Sequence, residues 1–220
     1  MNKHIEVNYK LYTTTYSALK ALDKLPMLIS FDVEVQSIYS LDERAEAKEL
    51  LKCCQTEMSG EDLRLTKLVG NSSGLSHPKI TKVTHFIFGI SKSESIIIIC
   101  NSHKMENTIC NWVADYKGKL IVHNVGYDLK IIHERTGRFP IDFEDTQLLA
   151  KCLINDTDDW KARVGLKHLM GSYFDPRWTE IESYDIQDYK NEAFLRYSAI
   201  DGAATYYLWE QLQETLDEIR

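Results

Sequence analysis

The hydrophobic pattern of the first half of the chain predicts a β-sheet. Residues 27–35 form an almost continuous apolar run interrupted by acidic side chains, which is typical of a central strand buried on both faces. Residues 83–90 and 95–100 are rich in β-branched side chains and flank four polar residues, which favours a hairpin. Loose alternation over residues 6–12 predicts an edge strand, and residues 119–123 form a further short strand.

The remaining pattern is mostly helical. Apolar spacing after the candidate N-cap residues 15–17 predicts a first helix, which Pro26 interrupts. Residues 36–76 are polar and charged, and we expect an excursion between strands with a helical patch at 41–51. Further helices are predicted at 107–116, 127–135, 145–155, 165–174 and, with the strongest signal, 189–219. Together the elements predict one α/β domain over residues 1–220, with a mixed β-sheet flanked by α-helices.

Composition and charge narrow the class of protein. The chain has 220 residues, 44% hydrophobic and 27% charged, which is typical of a globular protein with one well-formed core. Its apolar runs are too short to span a bilayer and its first residues are polar, so we expect an intracellular, cytoplasmic protein with no membrane partner. Five cysteines without C-x-x-C spacing predict reduced thiols. The net charge of −7 argues against coating nucleic acid by bulk attraction, but not against an enzyme that uses divalent ions at one strand end.

Two carboxylates lie inside the predicted buried strand. Asp32 and Glu34 are two residues apart, so on a strand both side chains point to the same face. Burying two like charges side by side is costly unless something compensates for them. One explanation is a pair of acids near a strand end that are exposed or form ion pairs with Lys or Arg. The other is a divalent cation, which prefers oxygen ligands.

Two more acids lie on predicted helices. Asp128 follows the strand at 119–123 and a candidate N-cap at Asn124, where an acid also complements the helix dipole. Tyr197 and Asp201 are four residues apart, so they share one helix face, and a structural hydrogen bond explains them equally well. Each feature alone is a weak signal, whereas their joint order along the chain is a strong one.

Three motifs occur in a fixed order along the chain. They are Phe31-Asp32-Val33-Glu34, His123-Asn124-Val125-Gly126-Tyr127-Asp128-Leu129 and Tyr197-Ser198-Ala199-Ile200-Asp201. In this order they resemble the DEDD exonuclease superfamily, in particular its tyrosine-containing DEDDy branch and the 3′–5′ proofreading domains of family-A DNA polymerases. Residues 143–146 and 165–169 match secondary signatures of the same family, and residues 36–76 match it least. Val35 stands where these domains usually have Thr.

The resemblance implies a ribonuclease H-like fold and two-metal hydrolysis of phosphodiesters. It assigns Asp32, Glu34, Asp128 and Asp201 as ligands of two divalent ions, with Mg²⁺ the expected ion and Mn²⁺ a substitute. It assigns Tyr197 to orienting the attacking water and helping to deprotonate it. The implied product is a nucleoside 5′-monophosphate, released from the 3′ end of single-stranded or frayed DNA.

The resemblance also implies contacts with the terminal nucleotides. An apolar residue four positions after the Glu of the first motif wedges beside the terminal base in related domains, and Ile38 occupies that position. Residues 160–178 mix aromatic and basic side chains, which suits a groove for a single strand, although core packing explains some of the aromatic residues equally well. The predicted strand-binding residues are Val33, Val35, Ile38, His123, Asn124, Tyr127 and Trp178.

Three hypotheses about the role of the protein follow. The first is a stand-alone 3′–5′ DNA exonuclease in replication or repair, acting with a separately encoded DNA polymerase, as in a phage. The second is trimming of RNA 3′ ends in the manner of ribonuclease D, which uses the same catalytic set, although the sequence shows no clear means of recognising a ribose 2′-OH. The third is a non-catalytic nucleic-acid-binding or recruitment module, which predicts the loss of a carboxylate or of the tyrosine, yet all five positions are filled.

Overall fold

The computed structural model describes residues 5–54, 60–70, 77–154, 164–174 and 190–219. Within these ranges the strands are β1 (Asn8–Tyr12), β2 (Leu28–Ser37), β3 (Thr81–Ser91), β4 (Glu94–Ile99), β5 (Lys119–Val122) and β6 (Phe143–Asp145). They form one sheet in the order β1-β4-β3-β2-β5-β6. The predicted hairpin is present as the antiparallel pair β3–β4, whereas β1–β4, β2–β5 and β5–β6 are parallel, so the predicted mixed sheet is confirmed.

The helices account for most of the second half of the described chain. They are α1 (Thr15–Leu22), α2 (Leu41–Cys54), α3 (Gly60–Gly70), α4 (His103–Asp115), α5 (Val125–Thr136), α6 (Thr146–Ile154), α7 (Leu166–Leu169) and α8 (Glu192–Ile219). A π-helical turn, Met170–Phe174, continues α7, and a 3₁₀ turn, Pro78–Ile80, precedes β3. Among the described residues, no helix combines the length and apolar character needed to cross a membrane.

Two boundaries differ from the prediction for local reasons. Helix α4 begins four residues earlier than predicted because Ser102 is its N-cap, with its hydroxyl accepting a hydrogen bond from the Met105 amide at 3.2 Å. Helix α3 was not predicted, since its apolar side chains are few and three of the four are exposed or partly exposed, which leaves a weak helical period.

The described chain divides into two compact units. One comprises Met1–Glu34 and His85–Arg220, and the other comprises Val35–Thr84. The smaller unit has its own apolar cluster, in which Ala47, Val69 and Ile80 are buried. It overlaps the predicted excursion at 36–76 and extends beyond it. The organisation as a single domain stays a prediction.

Two glycines let α8 lie directly against the sheet. A Cβ atom added at Gly89 would clash with the hydroxyl of Ser30 and the carbonyl oxygen of Gly202, and one added at Gly202 would lie 2.7 Å from Cγ2 of Ile87. The Ser30 hydroxyl donates a hydrogen bond to the Gly202 carbonyl at 2.6 Å and accepts one from the Gly89 amide at 3.1 Å. This contact holds α8 against β2. On α8 it lies one residue after Asp201, and on β2 it lies two residues before Asp32.

We predict that Gly89→Ala lowers the free energy of unfolding by about 1–3 kcal/mol, because the new methyl group must displace the backbone of α8. Thermal or urea unfolding measures the effect. Gly126→Ala is the matched control, since a Cβ there meets no atom within 4 Å, and Ala is favoured over Gly within a helix. Equal stability of the Gly89→Ala variant and the wild type would contradict the close approach of α8.

Candidate active site

Strand β2 presents both predicted acids on the same face of the sheet. The neighbouring residues Phe31 and Val33 point to the opposite face and are buried in the core, at 0% and 2% exposure. Asp32 and Glu34 follow Ser30 on the other face and remain partly exposed. The apolar run that predicted a buried strand therefore anchors β2, while the i, i+2 spacing aims the two carboxylates together.

Asp201 joins these two carboxylates from α8. Oxygen atoms of Asp32, Glu34 and Asp201 all lie within 4.8 Å of one another, and we call this group the carboxylate cluster. The hydrogen bond from Ser30 to Gly202 explains the meeting, since it holds the residue next to Asp201 against β2. Within the described residues, Oδ1 of Asp201 is buried and has no hydrogen-bond partner.

Asp128 lies beside the carboxylate cluster rather than within it. Its side chain is 2% exposed, and its Oδ1 accepts a hydrogen bond from the Val33 amide at 3.0 Å. It also shares a side-chain hydrogen bond with Asp32. Asp128 thus connects the first turn of α5 to β2 at the position between Asp32 and Glu34.

The loop that carries Asp128 is fixed by Asp145, at the end of β6. The Asp145 carboxylate accepts hydrogen bonds from the backbone amides of Asn124, Val125 and Gln147 at 2.9–3.2 Å. Asn124 occupies the predicted N-cap position of α5, but it is left-handed, with φ 65°, and its side chain makes no capping bond. The predicted capping role of the Asn124 side chain is therefore wrong, because Asp145 satisfies the free amides of that helix end instead.

Tyr197 lies one helical turn before Asp201 on α8 and is hydrogen-bonded to its carboxylate. A basic residue from α7 contacts the same phenol. The ammonium of Lys167 donates a hydrogen bond to the Tyr197 hydroxyl at 3.1 Å and lies 4.2 Å from the centroid of its ring. The sequence analysis placed Lys167 within the predicted strand groove at residues 160–178. Its contact with Tyr197 was not predicted, because no periodic spacing links residues that are 30 positions apart.

Burial raises the pKa values of the four acids of the site and so favours their protonated forms. It raises the pKa of Asp201 to about 6, although the charge of Lys167 and the hydrogen bond from Tyr197 oppose this shift. Burial also raises the pKa values of Asp32 and Glu34, and repulsion between carboxylates adds to the effect. The pKa of Asp128 is raised well above its usual range by burial and then by the charge of Asp32.

These residues fit a divalent cation. Three carboxylates are held together at a cost that positive charge would offset, and one buried oxygen, Oδ1 of Asp201, lacks a partner within the described chain. Hard divalent cations take carboxylate oxygens as ligands, and their charge lowers the pKa values of the groups that bind them. The arrangement is able to hold such an ion and to hydrogen-bond a water molecule through Tyr197.

The predicted strand-binding residues fall in different environments. Tyr127 is partly buried near the acids. Burial, followed by the charge of Asp128, raises the pKa of its phenol. Nδ1 of His123 shares a hydrogen bond with the Thr146 hydroxyl at 2.9 Å, and burial lowers the pKa of this imidazole to about 4. Asn124 is exposed, so its side chain is accessible.

The other predicted strand contacts have less support from the structure. The side chains of Val33 and Val35 are buried, whereas Ile38 is 50% exposed. Trp178 lies outside the described residues, as do most of residues 160–178. Strand binding by these residues stays a prediction.

Comparisons with known proteins bear on the family and the fold of the chain. A family model described as a 3′–5′ exonuclease matches residues 89–217, which is more than half of the chain. No curated protein matches the chain. Among solved structures, NrnC of Brucella melitensis with bound Mg²⁺ is 14% identical, with a TM-score of 0.57 over 97% of this chain and 83% of that chain.

Two further structures are similar in the same way. NrnC of Brucella melitensis bound to pGG is 14% identical, with a TM-score of 0.57 over 97% of this chain and 83% of that chain. RNase D of Escherichia coli, an exoribonuclease involved in structured RNA processing, is 14% identical, with a TM-score of 0.54 over 96% of this chain and 46% of that chain. At such identities the likeness shows the fold, and it confirms the predicted ribonuclease H-like α/β architecture.

We predict that the metal-free protein loses stability as the pH rises. The carboxyl groups of the carboxylate cluster have higher pKa values in the folded state than in the unfolded state. Their protonated forms therefore stabilise the fold, and this contribution is fully present below about pH 4, the pKa of such groups in the unfolded chain. That contribution is lost as the pH rises through about 6, the pKa of Asp201, and beyond. Melting temperatures in EDTA, measured between about pH 5 and pH 8, should therefore fall.

Asp32→Asn should reverse part of this loss. Removing one negative charge from the carboxylate cluster should raise the melting temperature in EDTA near pH 8 by a few degrees, since about 1 kcal/mol moves the midpoint of a domain of this size by about 2–4 °C. Asp142→Asn, which changes an exposed acid, serves as the control. A variant no more stable than wild type in EDTA would show that repulsion in the cluster is unimportant.

Proposed function

The chain belongs to the 3′–5′ exonuclease family, and on that premise we propose that it removes nucleotides from the 3′ end of single-stranded or frayed DNA, releasing nucleoside 5′-monophosphates. The observation that carries the proposal is the convergence of Asp32, Glu34 and Asp201, whose oxygen atoms lie within 4.8 Å of one another. Tyr197 and Asp128, the two other residues of the motifs, directly contact members of this cluster.

The proposed metal ligands are the acids of the three motifs. Asp32, Glu34 and Asp201 would hold one divalent ion, and Asp128 with Asp32 would hold a second. Bound divalent ions would stabilise the negative charge that develops on the phosphate oxygens during in-line displacement. Mg²⁺ is the proposed ion, with Mn²⁺ as a substitute, and the Mg²⁺ bound in the similar structure of NrnC supports this choice.

Tyr197 is proposed to orient the attacking water. Burial, followed by the charge of Asp201, raises the pKa of the phenol, so it stays protonated at neutral pH. A protonated phenol holds a water molecule by hydrogen bonding and is a poor base. A neighbouring carboxylate would therefore accept the proton of the water. Glu34 is the proposed acceptor, since it lies on the same side of the sheet as Asp32.

RNA is a second candidate substrate. NrnC has been solved bound to pGG, and RNase D acts in structured RNA processing, and both share the fold of this chain. DNA is supported by the matching family model, which is named after DNA polymerase A. A DNA polymerase encoded separately is the proposed partner in the DNA case, with replication or repair as the setting.

A nuclease assay tests the proposal. The protein is incubated with single-stranded DNA labelled at its 5′ end and, separately, with matching RNA, in Mg²⁺, in Mn²⁺ or in EDTA. We expect DNA to shorten stepwise from its 3′ end, with no reaction in EDTA. Preferential shortening of RNA would show that RNA, the second candidate, is the substrate. A folded protein that binds strand ends but cuts neither DNA nor RNA would contradict the proposal and support the non-catalytic binding module.

We predict that Asp32→Ala and Asp201→Ala reduce the rate by about a hundredfold or more, because each removes charge stabilisation at the reacting phosphate. Tyr197→Phe should lower kcat by about a hundredfold, the scale of losing the correct orientation of a reacting group. Asp142→Asn, an exposed acid outside the cluster, should retain wild-type activity. Retention of wild-type activity by the Asp201→Ala variant would contradict the assignment of the site.

A further inference from the structure

The ammonium of Lys167 and the phenol of Tyr197 form a pair whose hydrogen-bond direction is fixed. An ammonium has donors and no acceptor, so in the 3.1 Å contact the Tyr197 oxygen must accept. The phenol has one O–H, which is hydrogen-bonded to Asp201. The order of donation is therefore Lys167 to Tyr197 to Asp201, and it leads from α7 into the carboxylate cluster.

The ammonium also restrains the ring itself. It lies 4.2 Å from the ring centroid, within the range of a favourable cation–π contact. A side chain that contacts both the face and the hydroxyl of a phenol restricts rotation of the ring as well as the position of its oxygen. Tyr197 is therefore held from two directions, by Lys167 and by Asp201.

Helix α7, which carries Lys167, packs against α8. The next apolar residues, Leu169 and Met170, are 1% and 0% exposed and belong to a buried cluster with Ile200 and Ala204 of α8. The same helix, α8, carries Tyr197 and Asp201. Lys167 and Tyr197 are thus presented by two elements that pack against each other.

We infer that Lys167 is a positioning residue for the exonuclease reaction, whose ammonium holds the Tyr197 hydroxyl at the carboxylate cluster so that the remaining lone pair of the phenol oxygen can accept a hydrogen bond from the attacking water and orient it. The inference rests on the proposed function, since it concerns the same site. It assigns Lys167 a role through Tyr197 rather than a direct contact with a strand phosphate. These two roles affect different kinetic constants, because a phosphate contact contributes to substrate binding whereas water orientation contributes to turnover.

The test is a double-mutant cycle on Lys167 and Tyr197. Steady-state rates are measured for the wild type, Lys167→Met, Tyr197→Phe and the double variant, on the nucleic acid that the wild type cuts. We expect Lys167→Met to lower kcat by about tenfold, as for loss of a hydrogen bond from a charged donor, with KM within about twofold of wild type. In the Tyr197→Phe background, where the hydroxyl is absent, Lys167→Met should have little further effect.

Two more variants separate positioning from general structural damage. Lys167→Arg keeps a positive donor and should recover most of the lost kcat. Lys20→Met removes an exposed lysine from α1 and should behave as wild type. The rise in melting temperature on adding Mn²⁺ should be retained in Lys167→Met, which shows that the carboxylate cluster is intact, whereas its melting temperature in EDTA near pH 8 should be lower because Lys167 no longer offsets the charge of Glu34 and Asp201.

The outcomes distinguish this inference from the proposed function. An inactive wild type would overturn the proposed function itself. An active wild type with a raised KM and unchanged kcat in Lys167→Met would assign Lys167 to the strand groove instead. Independent, multiplicative effects of Lys167→Met and Tyr197→Phe would also overturn the inference, because a residue that acts through the phenol cannot act without it.

Discussion

Repulsion among carboxylates is the constraint on which the rest of this structure depends. Asp32, Glu34 and Asp201 bring oxygen atoms within 4.8 Å of one another, and burial raises the pKa of each. Within the described chain, Lys167 is the cation that lowers the pKa values of both Glu34 and Asp201. One ammonium cannot neutralise three carboxylates. The arrangement is therefore stable at neutral pH with protons or with divalent cations, and the latter suit hydrolysis of a phosphodiester.

The fold holds these groups together through contacts between distant segments. Ser30 bonds to the Gly202 carbonyl and the Gly89 amide, which brings α8 against the sheet at the level of the carboxylate cluster. Asp128 accepts a hydrogen bond from the Val33 amide, and thereby ties α5 to β2. Each acid is thus fixed by backbone contacts next to it, so the cost of bringing the charges together is met by the packing of the surrounding elements.

Local periodicity placed the acids on shared faces, and the resemblance of the three motifs assigned them to one site, but neither predicted the contacts that support them. The i, i+2 spacing of Asp32 and Glu34 and the helical spacing of Tyr197 and Asp201 identify shared faces, and the mixed sheet follows from apolar runs. Lys167 was placed in a strand groove because contacts between separate elements leave no period in the sequence. The capping of α5 by Asp145 was missed for the same reason, since the two are joined only after β5 and β6 pair.

Proton release on metal binding tests the central claim most directly. Calorimetric titration of Mn²⁺ into the wild-type protein near pH 7, repeated in buffers with different ionisation enthalpies, counts the protons released. The carboxylate cluster predicts binding with net proton release in the wild type, and much weaker binding in Asp201→Asn. Binding that releases no protons, or that is equally strong in Asp201→Asn, would contradict the claim that this cluster is held together for a divalent cation.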